Sequence, residues 1–143
     1  MTPPAPLPHG FLARPVAHRA LHGPGRPENS RAAVQAAVAG GWGIEIDLQL
    51  SADGVPIVFH DAGLARLTAE TGPVRERSAE ALGAIPLTGS DECIPTFAEV
   101  LGIVGGRVPL LVEIKDQSGI MGPTDGALER AAAEAVRGYD GPL

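Results

Sequence analysis

The sequence predicts an α/β domain in which a parallel sheet lies beneath a cover of helices. Three observations lead there. Residues 43–50, Gly43-Ile44-Glu45-Ile46-Asp47-Leu48-Gln49-Leu50, alternate apolar and polar with period two, the pattern of a strand. Residues 108–115 form a nearly continuous apolar run broken by Glu113, as a strand covered on both faces requires. Amphipathic segments lie between the strands, and alternation of strand and helix supplies the crossovers that a parallel sheet needs.

In chain order, residues 1–13 read as an irregular, proline-rich lead-in with neither a charged n-region nor an apolar h-region. Residues 14–19 are a short strand candidate. After a loop rich in glycine and proline, Asn29 or Ser30 can cap a helix that runs to about Ala39 and stops at Gly40-Gly41. The 43–50 strand follows. Asp53-Gly54 then marks a tight turn, and residues 55–61 form another strand with Pro56 near its start. The turn is short enough for a hairpin. Residues 62–78 are polar and read as surface loop, and 78–84 as a short helix. Thr96 and Glu99 form a capping box for a helix carrying Phe97, Val100, Leu101 and Val104. The 108–115 strand comes next, then a loop over 116–124. An alanine-rich helix over 125–137 turns Leu128, Ala131, Ala132, Ala135 and Val136 inward.

The 143 residues suffice for one domain with a real core, and 44% hydrophobic content places the chain among globular proteins. A net charge of −6 and the lack of a basic run argue against a nucleic-acid partner. Cys93 is the only cysteine, which excludes an internal disulfide and disfavours a cysteine-based zinc site. No stretch approaches the roughly 20 apolar residues of a membrane span, and a cytoplasmic location is expected. Ten of the 11 basic residues are arginine, so the single lysine, Lys115, stands out.

Chemistry collects at the strand ends. On the 43–50 strand, Glu45 and Asp47 point the same way about 7 Å apart, at roughly 3.3 Å rise per residue. If that face is buried, the two like charges need a counter-charge, which a divalent cation can supply. The same alternation also suits an antiparallel strand with one wet face. The first strand ends at His18-Arg19, the third at His60-Asp61, and the fourth carries Glu113 and Lys115 at i, i+2. In a parallel barrel such ends open onto one mouth. Taken singly, each has an ordinary explanation: a structural histidine, a surface ion pair, a turn aspartate at Asp53 or Asp61. His9 and His22 read as solvated loop residues. Together the strand-end residues suggest a site. Three carboxylates favour Mg²⁺ or Ca²⁺, two histidines can exchange protons near neutral pH, and arginine offers a planar fork to a phosphate oxygen. That set suits cleavage of a phosphodiester. The sequence has no P-loop, no G-x-G-x-x-G fingerprint and no G-x-S-x-G elbow.

Seven short motifs, in order and at fitting spacing, make the sequence resemble the glycerophosphodiester phosphodiesterase family. They are Ala17-His18-Arg19, Pro27-Glu28-Asn29-Ser30, Glu45-Ile46-Asp47, Asp53-Gly54, His60-Asp61, Ile94-Pro95-Thr96 and Glu113-Ile114-Lys115. The resemblance covers about residues 14–117 and continues weakly beyond. It implies a (β/α)₈ TIM barrel with an insertion after the third strand, of which residues 14–143 would be the N-terminal half: about four parallel strands with covering helices. A parallel sheet would overrule the hairpin suggested by the short turn. The resemblance also implies roles. His18 and His60 match the general acid/base pair, Glu45, Asp47 and Glu113 the ligands of one divalent cation (Mg²⁺ or Ca²⁺), and Arg19 and Lys115 phosphate contacts. Glu28 and Asn29 match a motif near the site, with Asn29 read as loop-fixing or helix-capping. The implied substrate is a small glycerophosphodiester, cleaved to an alcohol and glycerol 3-phosphate through a cyclic intermediate.

Two departures from the family pattern carry expectations. Ala20 stands where the family usually has glycine; a positive φ there would strain the turn by roughly 1 kcal/mol and misaim Arg19. Barrels of this kind run to about 250 residues. The chain is therefore expected to be an incomplete copy, with weak metal binding, little or no hydrolase activity and self-association through open sheet edges. Two other readings stand beside this one: a phospholipase C-like or D-like barrel acting on phospholipids, and a non-catalytic metal-binding half barrel completed by a second chain.

Overall fold

In a computed structural model of the chain, residues 4–119 and 123–143 are described. The elements are α1 (Gly10–Ala13), β1 (Val16–Ala17), α2 (Arg31–Gly40), β2 (Gly43–Leu50), β3 (Pro56–Val58), a 3₁₀ turn (Val74–Glu76), α3 (Ala79–Gly83), α4 (Phe97–Val104), β4 (Leu110–Ile114) and α5 (Ala127–Ala135). Of the expected lead-in, residues 1–3 lie outside the described residues, and residues 10–13 form one helical turn rather than irregular chain. Part of the expected 116–124 loop, residues 120–122, also lies outside them.

Local chemistry sets the helix ends. Ser30, not Asn29, caps α2 by accepting from the Ala33 N–H, and Gly41 at φ 68° closes it in the left-handed conformation that glycine adopts without a Cβ clash. Thr96 and Glu99 form the expected reciprocal box at the start of α4.

The sheet is built around β2, which has three partners on two edges. β4 runs parallel to it, pairing Ile44 with Leu110 through Leu48 with Ile114. β1 also runs parallel, pairing Val16 with Gly43 and Ala17 with Ile44. β3 runs antiparallel, pairing Leu48 with Val58 and Leu50 with Pro56. The sheet therefore holds three parallel strands and one antiparallel strand, which corrects the expectation of about four parallel ones. The local hairpin reading holds for β2 and β3, against the parallel pairing that the resemblance implied. Only five residues join Leu50 to Pro56, whereas a parallel crossover needs a dozen or more. The turn closes on itself: Ser51 Oγ donates to Asp53 Oδ1 at 2.6 Å and accepts from the Val55 N–H at 2.9 Å.

β1 and β3 share one edge of β2, end to end. The Ala20 N–H donates to the Glu45 carbonyl and the Phe59 N–H to the Asp47 carbonyl. Alternate carbonyls of a strand face the same edge. One chain segment thus arrives from the N-terminal end of β2 and the other returns from its C-terminal end, and they converge at Glu45–Asp47.

Both faces of β2 are covered, since residues 43–49 are all buried. Ile44, Ile46 and Leu48 enter the main core with Ala33, Val34 and Ala37 of α2, Phe97, Val100 and Val104 of α4, and Leu128 and Ala132 of α5. A second cluster lies under the excursion between β3 and α4: Ile57, Phe59, Leu64, Val74, Leu82, Ile85, Leu87 and Ile94. The 62–78 stretch, read from sequence as surface loop, therefore anchors a small core through Leu64 and Val74, both fully buried. Its apolar residues are too sparse and aperiodic to be read from pattern. The other edge of the sheet, at β4, leaves Leu111 and Ile114 exposed.

Ile46 sits at the middle of the central strand with no exposed surface. Ile46→Ala should lower the free energy of unfolding by about 2–5 kcal/mol, measured by urea titration followed by circular dichroism.

Candidate active site

Construction of the site begins at a strained turn. Arg19 and Ala20, following β1, both have positive φ (55° and 64°). Such a pair costs non-glycine residues free energy unless surrounding contacts hold it in place. Here Glu45 holds it: the Arg19 N–H donates to Glu45 Oε2 at 2.8 Å and the Ala20 N–H to the Glu45 carbonyl at 2.9 Å. Alanine thus does occupy a conformation that favours glycine. In return the turn fixes one oxygen of the Glu45 carboxylate. The other, Oε1, is buried without a hydrogen-bond partner among the described residues.

Asp47 is the most deeply buried acid of the site, 1% exposed. Asn29, itself at φ 56°, donates from Nδ2 to Asp47 Oδ2 at 3.0 Å. Lys115 Nζ lies 3.0 Å from Asp47 Oδ1 and 2.7 Å from Glu113 Oε1. Burial works to raise the Asp47 carboxyl. The hydrogen bonds from Asn29 and Lys115, with the charges of Lys115 and His60, outweigh it and hold the group below its ordinary value of 3.8. Lys115 is displaced the other way, above its ordinary value: burial opposes its charge, but the bonds to Glu113 and Asp47 prevail. Ligand atoms of Glu45, Asp47 and Glu113 all lie within 4.8 Å of one another, with Glu113 exposed at the rim. Three carboxylates at that separation can share a hard cation. The bare Glu45 Oε1 is the observation that favours one, because a buried carboxylate oxygen without a donor is costly.

Arg19 reaches the same place from above. Its Nη1 donates to Glu28 Oε1 at 3.1 Å, and its Nε lies 3.9 Å from Asp47 Oδ2. The second distance is an ion-pair contact, too long for a hydrogen bond. The Nε–H is accordingly buried and without a hydrogen-bond partner among the described residues. His60 follows Phe59, whose N–H donates to the Asp47 carbonyl, and its Nδ1 is 2.7 Å from Asp61 Oδ1. Arg66 grips Asp61 from the far side and also contacts Glu28. The Arg66 guanidinium holds the Asp61 carboxyl well below the usual carboxylate range. Burial works to raise Glu28, but Arg66 and Arg19 prevail and lower it.

The structure brings Arg19, Glu45, Asp47, Glu113 and Lys115 together and sets His60 beside them. His18 is exposed at the end of β1, directly before the turn that binds Glu45. His9 and His22 lie exposed in the chain outside this cluster, as expected. Three participants escaped the sequence reading. The sequence gives Asp61 only a turn or strand-end reading, gives Arg66 no role, and places Gln49 on the polar face without one. Gln49 Nε2 donates at 2.7 Å to the carbonyls of both Phe59 and Asp61, fixing the backbone on either side of His60. Only the period-two alignment of Gln49 with Glu45 and Asp47 could have pointed to it.

Comparison with known proteins identifies the family. The family model described as "Glycerophosphoryl diester phosphodiesterase family" matches residues 18–141. A glycerophosphodiester phosphodiesterase of Caldanaerobacter subterraneus subsp. tengcongensis is 32% identical over 121 residues, which cover 80% of this chain and 49% of that protein. Glycerophosphodiester phosphodiesterase 1 of Bos taurus is 40% identical over 84 residues, 52% of this chain and 25% of its own length. Among solved structures, an Oleispira antarctica phosphodiesterase in complex with the product sn-glycerol-3-phosphate superposes with a TM-score of 0.77 at 29% identity, covering 92% of this chain and 55% of that one. The chain thus spans half or less of the curated relatives named here, and it matches about half of a solved phosphodiesterase.

Asp47, Asp61 and Glu28 all have folded values below their ordinary ones of 3.8 for aspartate and 4.5 for glutamate. Their contribution to stability is therefore complete above about pH 4.5 and drains away as pH falls through the lowered values. Acid unfolding followed by circular dichroism should start below that pH, and Asp61→Asn should make the loss of stability with falling pH shallower.

Proposed function

Since the chain belongs to the glycerophosphoryl diester phosphodiesterase family, we propose that it carries the catalytic half of a metal-dependent hydrolase that cleaves glycerophosphodiesters to an alcohol and glycerol 3-phosphate. The observation that carries this reading is a pair of unsatisfied buried atoms. Among the described residues Glu45 Oε1 lacks a donor and Arg19 Nε–H lacks an acceptor. One calls for a cation and the other for an anion, and a divalent ion bearing a phosphate diester answers both.

In this reading Glu45, Asp47 and Glu113 hold the ion, Mg²⁺ or Ca²⁺, which when bound would polarise the phosphate. Arg19 and Lys115 steady the phosphate oxygens. One histidine of the pair His18 and His60 takes a proton from the glycerol hydroxyl as its oxygen attacks phosphorus. The other gives a proton to the departing alcohol, and water then opens the cyclic phosphate. The glycerol 3-phosphate bound to the Oleispira relative supports the choice of substrate class. No helix among the described residues is long and apolar enough to cross a membrane. The exposed Leu111 and Ile114 of β4 support self-association of the isolated chain, and with half a barrel its turnover is proposed to be weak or absent.

Calorimetric titration of the isolated chain with Mg²⁺ and Ca²⁺ should show binding of one ion, and Glu45→Gln should weaken it about tenfold or more. Unchanged binding would remove Glu45 from the ligand set. In a full-length relative, replacing the histidine equivalent to His18 or His60 by alanine should lower turnover of glycerophosphocholine about 10²-fold or more. Retention of most activity by either variant would break the pair assignment.

A further inference from the structure

Resting on the reading of His60 as a proton-transfer residue, we propose that Arg66 is its positioning residue: it clamps Asp61 so that the Asp61 carboxylate holds the His60 ring with Nδ1 as donor and Nε2 turned over to proton exchange. The geometry is two-handed. Arg66 Nε and Nη2 donate to Asp61 Oδ2 and Oδ1 at 2.6 and 2.9 Å. Its Nη2 and Nη1 also donate to Glu28 Oε1 and Oε2 at 2.6 and 3.2 Å. Glu28 in turn accepts from Arg19. One guanidinium therefore ties the segment after β3 to the segment after β1, the two that meet at Glu45–Asp47. Single exposed ion pairs contribute little, but a two-point fork within a network of several charges holds its partners in a defined orientation.

The clamp acts on the histidine through Asp61 Oδ1, which contacts both Arg66 Nη2 and His60 Nδ1. With arginine on its far side the carboxyl stays ionised, and an ionised carboxylate only accepts. The neutral ring must then carry its proton on Nδ1, leaving the Nε2 lone pair free. The backbone on either side is pinned independently by Gln49, so the ring's remaining freedom is rotation and tautomer, which Asp61 sets. Arg66 contacts no member of the Glu45, Asp47 and Glu113 cluster in any ion pair or hydrogen bond among the described residues, so its effect on the chemistry must pass through its two acidic partners.

Long-range ¹H–¹⁵N correlation spectra of the labelled full chain at about pH 9, where imidazole is neutral, report which ring nitrogen is protonated. The wild-type chain should show His60 in the Nδ1–H form. In Arg66→Gln it should shift toward the Nε2–H form, and Arg66→Lys, which keeps the charge but loses the fork, should lie between. Where Arg66→Gln does not fold, Arg66→Lys reads the same question. A His60 tautomer unchanged in the folded variants overturns the proposal, even if the melting temperature falls, because arginine would then be a structural tie alone. The parent reading fails separately: full turnover in the His60→Ala counterpart of a complete relative removes the catalytic role while leaving the clamp standing.

Discussion

The cost of burying carboxylates on the polar face of β2 governs the rest of the molecule. A strand inside a covered sheet has no wet side, and Asp47 is left 1% exposed. An ionised group there persists only where donors and opposite charges surround it. Most of the unusual local structure answers that demand. Asn29 enters the left-handed region to aim its amide at Asp47, an excursion that asparagine makes more readily than most residues. Lys115, the only lysine, sits at the i+2 position to Glu113 so that one ammonium serves both acids.

Topology delivers the remaining groups. β1 is two residues long and pairs only with the first residues of β2, leaving the rest of that edge open. The five-residue turn after Leu50 sends β3 back along the vacant part. A parallel third strand would have carried His60 to the far end of its own strand, one position around the sheet. The antiparallel return stops it opposite Asp47 instead, where the Phe59 N–H meets the Asp47 carbonyl. His18-Arg19 arrives at the same edge from the opposite direction. The segments that carry two histidines 42 positions apart in sequence thus meet one stretch of β2 through a short strand and a tight turn.

The sequence was most readable where a pattern had a period or a cap. The alternation of β2, the capping box at Thr96–Glu99 and the Gly40-Gly41 stop all describe what is observed. The cluster of Glu45, Asp47, Glu113 and Lys115 was legible because i, i+2 spacing on a strand fixes a shared face. The direction of β3 was misjudged because an inferred global pattern was set above a local constraint, the reach of five residues. Arg66 and Asp61 were missed for another reason. Their pairing depends on a non-repetitive excursion, where neither period nor cap predicts which side chains meet. Ser30 took the cap that Asn29 could equally have supplied, and only the demand of Asp47 for a donor separates their roles.

The two acids of β2 are not equivalent. Asp47 has both oxygens engaged, Oδ2 by Asn29 and Oδ1 by Lys115, so the protein has already balanced it. Among the described residues Glu45 has only Oε2 engaged, by a backbone N–H that a strained turn holds in place. A fold shaped for stability alone would have closed Oε1 as well, since a neighbouring side chain donor costs less than a bare buried oxygen. Arg19 repeats the asymmetry with opposite sign, with its fork partly committed to Glu28 and its Nε–H uncommitted. Strain in the 19–20 turn and two unmet bonding demands therefore coincide within one residue's reach of each other. Stored strain beside unsatisfied polar atoms is the pattern expected where a ligand completes the structure. On the proposed reading, the ion's seat would be defined by Glu45 first, with Asp47 and Glu113 contributing oxygens that Lys115 already shares.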